Sequence, residues 1–242
     1  MPQTSTFTPN GSPPSQRKGP NAMESQLKNR ATVRFAAHTD MEAVCSALAA
    51  GFDDDPLFQY MFPSEERRRL NLPRFFAPYV RLALACGKVR VIQAVDGDDG
   101  ASICGAAVTF EPEFYPGSLR HSHASAAELD EQVYEASGVD ALTAVAAMDA
   151  LTAHHPKAPP HQYLLFIAVR PERRGCGYGA LLMQSMAAEW DAAGQPGYLE
   201  ATTDRSTTGF YHRHGWQPFA APFNPANAPV VFPLWRNADV RL

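Results

Sequence analysis

The stretch from Gln162 to Gly215 constrains the fold more than any other part of this chain. An apolar run, Tyr163-Leu-Leu-Phe-Ile-Ala-Val169, lies between Pro159-Pro160 and Pro171. It has the length of a strand rather than a helix and too little alternation to be half exposed, which predicts a buried strand of a mainly parallel sheet. A charged turn, Arg170-Pro-Glu-Arg-Arg174, leads into Gly175-Cys-Gly-Tyr-Gly179. From Ala180 to Trp190 the residues Leu182, Met186 and Trp190 share one helical face, and Gly194 with Pro196 supplies a stop signal. Tyr198-Leu-Glu-Ala-Thr202 is a second short strand. Strand, glycine loop, helix and strand in that order make a right-handed crossover between parallel strands.

The loop is where chemistry enters. Three glycines in five positions, Gly175, Gly177 and Gly179, let the backbone turn with its N–H groups outward and a ligand approach closely. The following helix offers unpaired amides and the positive end of its dipole at the same spot. Together they suit an anion such as a pyrophosphate, and Arg173 and Arg174 add cationic charge. Gly175-x-Gly177-x-x-Ala180 with Glu200 downstream also fits a dinucleotide fingerprint. Against that, five residues separate Val169 from the first glycine, and too little chain follows Glu200 to build a second mononucleotide half. No Gly-Lys-Ser/Thr ending is present, so the NTPase type of phosphate loop does not fit.

Val169 followed by Arg174-Gly-Cys-Gly-Tyr-Gly-Ala-Leu-Leu182 resembles the acetyl-CoA signature of the GNAT superfamily of N-acetyltransferases, Arg/Gln-x-x-Gly-x-Gly/Ala. Further segments are similar to its puromycin-acetylating branch: Thr32–Ala36, Leu48–Phe52 with Asp55-Pro56, Gly87–Arg90, Met148–Leu151 with His155-Pro-Lys157, Tyr198–Glu200 and Phe210–Gly215. The resemblance spans about residues 32 to 236. It implies an α/β fold with a mixed, mostly antiparallel central sheet and a parallel β-α-β acetyl-CoA unit. It also implies acetyl-CoA as acyl donor, an amine as acceptor and no metal.

Residue by residue, the resemblance places the CoA pyrophosphate on Arg174, Gly175, Cys176, Gly177, Tyr178, Gly179 and Ala180. The backbone of Ile167, Ala168 and Val169 is expected to meet the pantetheine and the developing oxyanion. Glu200 matches a carboxylate that acts as base through water, and Tyr211 matches a general acid beside the CoA sulfur. Thr207 stands where the family often has Asn, with one extra residue between strand and tyrosine, and is the remaining cofactor candidate. The first helices usually wall the acceptor pocket, which nominates Phe52, Phe58 and Tyr60, with Tyr198 beside Glu200.

The residue types suit the reaction. An alkyl amine has a pKa of about 10 and must lose a proton before it attacks a thioester. The leaving thiolate, with a pKa of about 8.5, benefits from receiving one. A carboxylate inside a buried strand, as Glu200 would be, is unusual unless paired or functional, and burial would raise its pKa from about 4.3. No covalent intermediate is required, because the thioester is already activated and binding supplies proximity.

The rest of the chain supports one domain, residues 31–242, behind a tail of residues 1–30. Met1–Ala22 is rich in Ser, Thr, Pro, Asn and Gln without acidic residues or apolar periodicity, which predicts disorder. Net charge is −4, so no affinity for nucleic acid is implied. The four cysteines are scattered without disulfide or metal spacing, which fits a reducing cytoplasm, and no run reaches membrane length. The expected partners are therefore a small-molecule amine and, at most, a second copy in a homodimer.

Several local expectations follow. Thr39-x-x-Glu42 reads as a capping box opening a helix to Phe52. At least two of Asp53, Asp54 and Asp55 read as a solvated turn and helix cap, although such a cluster could attract a cationic amine. A helix from Ser64 to Cys86 should be broken at Pro73 and Pro78. Lys88–Val95 and Ala101–Phe110 read as a hairpin around Asp96–Gly100. Ala124–Ala136 and Val139–Ala153 have helical spacing. His121, His123, His154 and His155 lack completing ligands for a metal and read as surface or pocket-rim residues. Thr203–Gly215 is a short helix, and Trp216–Phe219 and Val230–Trp235 are closing strands.

Overall fold

A computed structural model of the chain describes residues 31–95, 101–112, 114 and 124–239. The expected tail, the Asp96–Gly100 turn, His121 and His123 lie outside the described residues. Among the described residues, seven strands form one sheet: β1 (Ala31–Phe35), β2 (Lys88–Val95), β3 (Ala101–Phe110), β4 (Gln162–Val169), β5 (Gly197–Ala201), β6 (Gln217–Pro218) and β7 (Phe232–Arg236), in the order β1-β2-β3-β4-β5-β7-β6. Only β4 and β5 run parallel; every other neighbouring pair is antiparallel. The expected mixed, mostly antiparallel α/β sheet is what is found.

Six α-helices among the described residues cover the sheet: α1 (Met41–Phe52), α2 (Pro56–Met61), α3 (Glu65–Cys86), α4 (Ala124–Ser137), α5 (Ala141–His154) and α6 (Tyr178–Ala192). One core packs α1 to α5 on one face through Leu48, Phe58, Phe75, Phe76, Met148 and Phe166. The other packs α6 alone through Leu182, Met183, Met186 and Trp190. The two-residue period of β5 divides its side chains between them. Tyr198 enters the first core, whereas Leu199 and Ala201 enter the second.

Two local expectations are corrected. Pro73 and Pro78 do not break α3, which is continuous over 22 residues. Each proline costs roughly 3 kcal/mol in a helix interior. Full burial of Leu72, Phe75, Phe76, Tyr79 and Val80 on that helix, at about 1.5–3 kcal/mol for each large apolar side chain, outweighs it. The expected capping box is not formed either. Asp40 accepts from the Ala37 amide (2.7 Å) and pairs with Arg34, and a 3-10 turn, His38–Asp40, precedes α1.

Two irregularities position the site. β4 and β5 pair only at Gln162–Gly197 and Tyr163–Tyr198; beyond that they have no ladder between them and enclose a wedge. On its other side β4 stays paired with β3 to Val169, with a bulge opposite Val108/Thr109. After β5 the expected short helix is π-helical over Ser206–Tyr211. A π turn holds more residues than an α turn, and this one carries the chain up to Tyr211.

Candidate active site

The glycine loop is open. Gly175 and Gly177 adopt left-handed φ of 78° and 82°, which only glycine accepts without strain. A Cβ on Gly175 would meet nothing within 4 Å, so the loop faces free space. Gly177 starts α6 without a side-chain cap. Among the described residues, the amides of Gly175, Cys176, Gly177, Gly179 and Ala180 donate to no backbone carbonyl, whereas Leu181 N–H begins the helical pattern on Gly177 O at 3.1 Å. A cleft of about 390 Å³ lies over this loop, lined by Val169, Arg173, Arg174, Gly175, Gly177 and Arg213 among others. Free amides, a helix N-terminus and three arginines at one opening fit a diphosphate. Arg174 is tied as well, to Asp54 Oδ1 (2.8 Å) and Gly51 O (2.8 Å), which anchors the loop to the end of α1.

A second cleft of about 600 Å³ continues from the loop toward the wedge, lined by Phe52, Asp54, Asp55, Ile167, Arg174, Thr202, Arg205 and Tyr211. At its inner end lies a smaller cavity of about 50 Å³, room for a few water molecules. Phe52, Phe58, Tyr163, Phe166, Ile167, Glu200, Thr202 and Tyr211 line it. Glu200 at the end of β5 and Tyr211 in the helix that follows thus face one space.

Glu200 sits half-buried in β5, with Oε2 accepting from Tyr163 Oη at 2.9 Å. Its Oε1 is buried and has no hydrogen-bond partner. Burial pushes its pKa up to about 7, against the opposing hydroxyls of Tyr198 and Tyr163. A carboxylate poised there can accept a proton near neutral pH. Tyr211 is pushed the other way from reactivity as an anion: burial, then the charge of Asp55, raises its pKa, so it holds its proton. One group can take a proton and the other can give one.

The remaining candidates divide. Phe52 and Phe58 line the inner cavity while also stacking in the aromatic core, with centroids 4.7 Å apart. Tyr60 instead donates to Ala226 O at 2.9 Å, pinning the segment before β7, and does not line the cavity. Tyr198 is fully buried behind Glu200 with its hydroxyl unpartnered. Ala168 is buried in the core against α1, while Ile167 and Val169 line the clefts. Cys176 is half-buried and packs toward α6, and Tyr178 and Ala180 line the loop cleft. Thr207 donates to Thr203 O (3.1 Å) and lines neither cleft; Ser206 and Gly209 face the larger one instead.

Sequence reasoning missed several groups. The Asp cluster is partnered throughout: Asp53 with Arg68, Asp54 with Arg174, and Asp55 as the cap of α2. Asp55 is nevertheless a buried carboxylate facing the cleft, also bonded by Thr202 Oγ1, and burial raises its pKa. Arg205 and Arg213 line the cleft from the helix after β5, a signal available only as basic residues near Tyr211. His155 is not a rim residue. It lies buried against Tyr163 and Tyr198 with Nε2 3.0 Å from His161 Nε2, and burial lowers its pKa to about 3. His161 Nδ1 donates to Pro159 O, so its Nε2 is the acceptor and His155 the donor. His154, by contrast, stacks on Phe223 at 3.9 Å. Among the described residues no group of three His, Cys, Asp or Glu side chains is placed to hold a metal.

Comparison with known proteins agrees with this geometry. Residues 125–218, which hold β4, the glycine loop, α6 and β5, match the family model described as an acetyltransferase (GNAT) domain. A structure described as histone acetyltransferase HPA2 and related acetyltransferase, from Corynebacterium glutamicum, superposes with a TM-score of 0.59 at 23% identity, covering 88% of this chain and 98% of that one. A GCN5-related N-acetyltransferase from Rhodopseudomonas palustris reaches a TM-score of 0.50 at 10% identity, covering 86% and 96%. No curated protein sequence matches. At such identities the likeness speaks for the fold, and the fold is that of the GNAT acetyltransferases.

Proposed function

We propose that this protein transfers the acetyl group of acetyl-CoA to the amine of a small molecule by direct attack in a ternary complex. The observation that carries the reading is the shared cavity of Glu200 and Tyr211, opening through one cleft onto the uncapped amides of the glycine loop. In this reading the loop amides of Gly175–Ala180, with Arg173, Arg174 and Arg213, grip the diphosphate. The pantetheine arm follows the free edge of β4 past Val169 and Ile167 into the wedge. Bound there, acetyl-CoA supplies an activated acyl carbon. Glu200 takes one proton of the acceptor ammonium through water, the neutral amine forms the new C–N bond as the C–S bond breaks, and the second proton lost by the nitrogen passes to water. Tyr211 gives its proton to the departing sulfur and regains one from solvent.

The inner walls are apolar and aromatic apart from Glu200, Thr202 and the tyrosines, which suits an amine carried on an apolar group. An aminonucleoside of the puromycin kind is a candidate by the sequence resemblance, and detoxification of such a compound would follow. The free cysteines accord with the cytoplasmic setting this implies. The Corynebacterium structure is described as related to a histone acetyltransferase; a protein or peptide amine is thus the reading to test against.

The deciding experiment is acetyl-CoA turnover, read as thiol release, across small amines including puromycin and across peptides. Turnover confined to small amines is the expected result, and turnover on peptides alone would overturn the substrate class. Glu200→Gln and Tyr211→Phe should each lower kcat by about 100-fold or more while CoA affinity changes little. CoA bound normally with no turnover on any amine would leave a CoA-binding module without catalysis, and undiminished turnover in both variants would remove Glu200 and Tyr211 from the mechanism.

A further inference from the structure

We propose that Tyr163 is a positioning residue for the base: its hydroxyl holds Oε2 of Glu200 and so fixes the carboxylate where it borders the inner cavity. This deepens the proposed function and rests on it.

The geometry begins with the sheet. Tyr163 is the last residue of β4 paired with β5, opposite Tyr198, so its backbone is held rigidly where the wedge opens. Its ring is buried and wedged edge-on against His155, with centroids 4.5 Å apart. Its hydroxyl donates to Glu200 Oε2 at 2.9 Å from the neighbouring strand. Of the two carboxylate oxygens, one is therefore occupied and the other is buried and bare. A carboxylate free to rotate would not keep that place, and losing the orienting bond costs both aim and the ionised form.

The other ionisable groups around Glu200 leave this task to Tyr163. Tyr198, two residues earlier on the same strand, stabilises the carboxylate but makes no hydrogen bond of normal geometry. His155, at the end of α5, is held neutral by burial and by His161, so it brings no positive charge. Tyr79, from α3, stands behind Tyr163. Asp55 and Tyr211 face the adjoining cleft, the first engaged as the cap of α2 and the second holding its proton. Among the described residues no lysine or arginine lines the inner cavity. The tyrosine hydroxyl is thus the single well-formed hydrogen bond that holds the base.

The test measures Glu200 directly as well as through catalysis. The infrared carboxyl band of Glu200, identified by its loss in Glu200→Gln, is titrated in the full chain and in Tyr163→Phe. The expected result is a midpoint raised by about one pH unit in Tyr163→Phe. The acid limb of kcat/KM should rise by the same amount, and the plateau above it should stay several-fold below the parent's, because the ionised carboxylate is no longer aimed. A Tyr163→Phe midpoint equal to the parent's overturns the proposal, and so does a shifted midpoint that the kinetic limb does not follow. Should that variant fail to fold, 3-fluorotyrosine at position 163 keeps the shape and strengthens the donor, and must move the midpoint downward. Full turnover in Glu200→Gln would instead sink the assigned base, whatever the infrared midpoints show.

Discussion

Two helix starts face adjoining clefts and are finished in opposite ways. At α2, Asp55 folds its own carboxylate over the first turn, accepting from Leu57 N–H (2.9 Å) and Phe58 N–H (3.4 Å), and Thr202 occupies its other oxygen. At α6, Gly177 offers no side chain, and the amides around it point into open space. A helix start capped from within is structural, whereas one left bare beside arginines is prepared for an anion from outside. The contrast recurs between the two carboxylates. Asp55 has both oxygens engaged, and Glu200 has one engaged and one bare.

The largest test of that contrast is thermodynamic. The folded state holds the Glu200 proton more tightly than the unfolded chain, with a pKa of about 7 against 4.5. Stability is therefore lost as pH rises through that interval, by at most about 3 kcal/mol. Glu200→Gln should raise the melting temperature at pH 8 and leave it unchanged near pH 4, even as it removes turnover. A variant equally stable at both pH values relative to the parent would mean that the carboxylate is comfortably paired and not poised.

Next in size, Gly175→Asp places an internal acid beside the bare amides of α6 and forces a side chain onto a φ of 78°. Calorimetry with CoA should show affinity reduced by about 100-fold, equivalent to about 2.7 kcal/mol. Undiminished CoA binding would mean that the loop is only a turn. Asp55→Ala should do the reverse. It strips the cap of α2 and costs about 1–2 kcal/mol in chemical denaturation, with CoA affinity nearly unchanged. The smallest effect is expected at Arg174→Ala, which cuts the exposed pair with Asp54. Stability should fall by less than about 1 kcal/mol, and CoA should bind several-fold more weakly because the loop loses both a cation and its tether.

Much of this architecture was legible before any coordinates. The seven apolar residues of β4 and the buried face of α6 at Leu182, Met186 and Trp190 follow from side-chain periodicity. The open turn at Gly175 and Gly177 follows from their lack of a Cβ. Other features were hidden for identifiable reasons. Helix α3 survives two prolines because tertiary burial outweighs a local penalty, which no window of sequence can weigh. The role of Tyr163 depends on register, since only its pairing with Tyr198 brings its hydroxyl to Glu200. The burial of His155 depends on His161, which supplies the acceptor that lets an imidazole N–H leave water.

By itself, the order of residues determined most of the elements and the glycine-rich turn, because each depends on local sterics or on the pattern along one segment, while family likeness nominated Glu200 and Tyr211. Only the tertiary structure decided that β4 and β5 part after two residue pairs, that a π turn carries Tyr211 to the cavity of Glu200, and which carboxylate oxygen stays bare. Those outcomes depend on distances between segments far apart in the chain, and such distances are set by how two cores pack on opposite faces of one sheet.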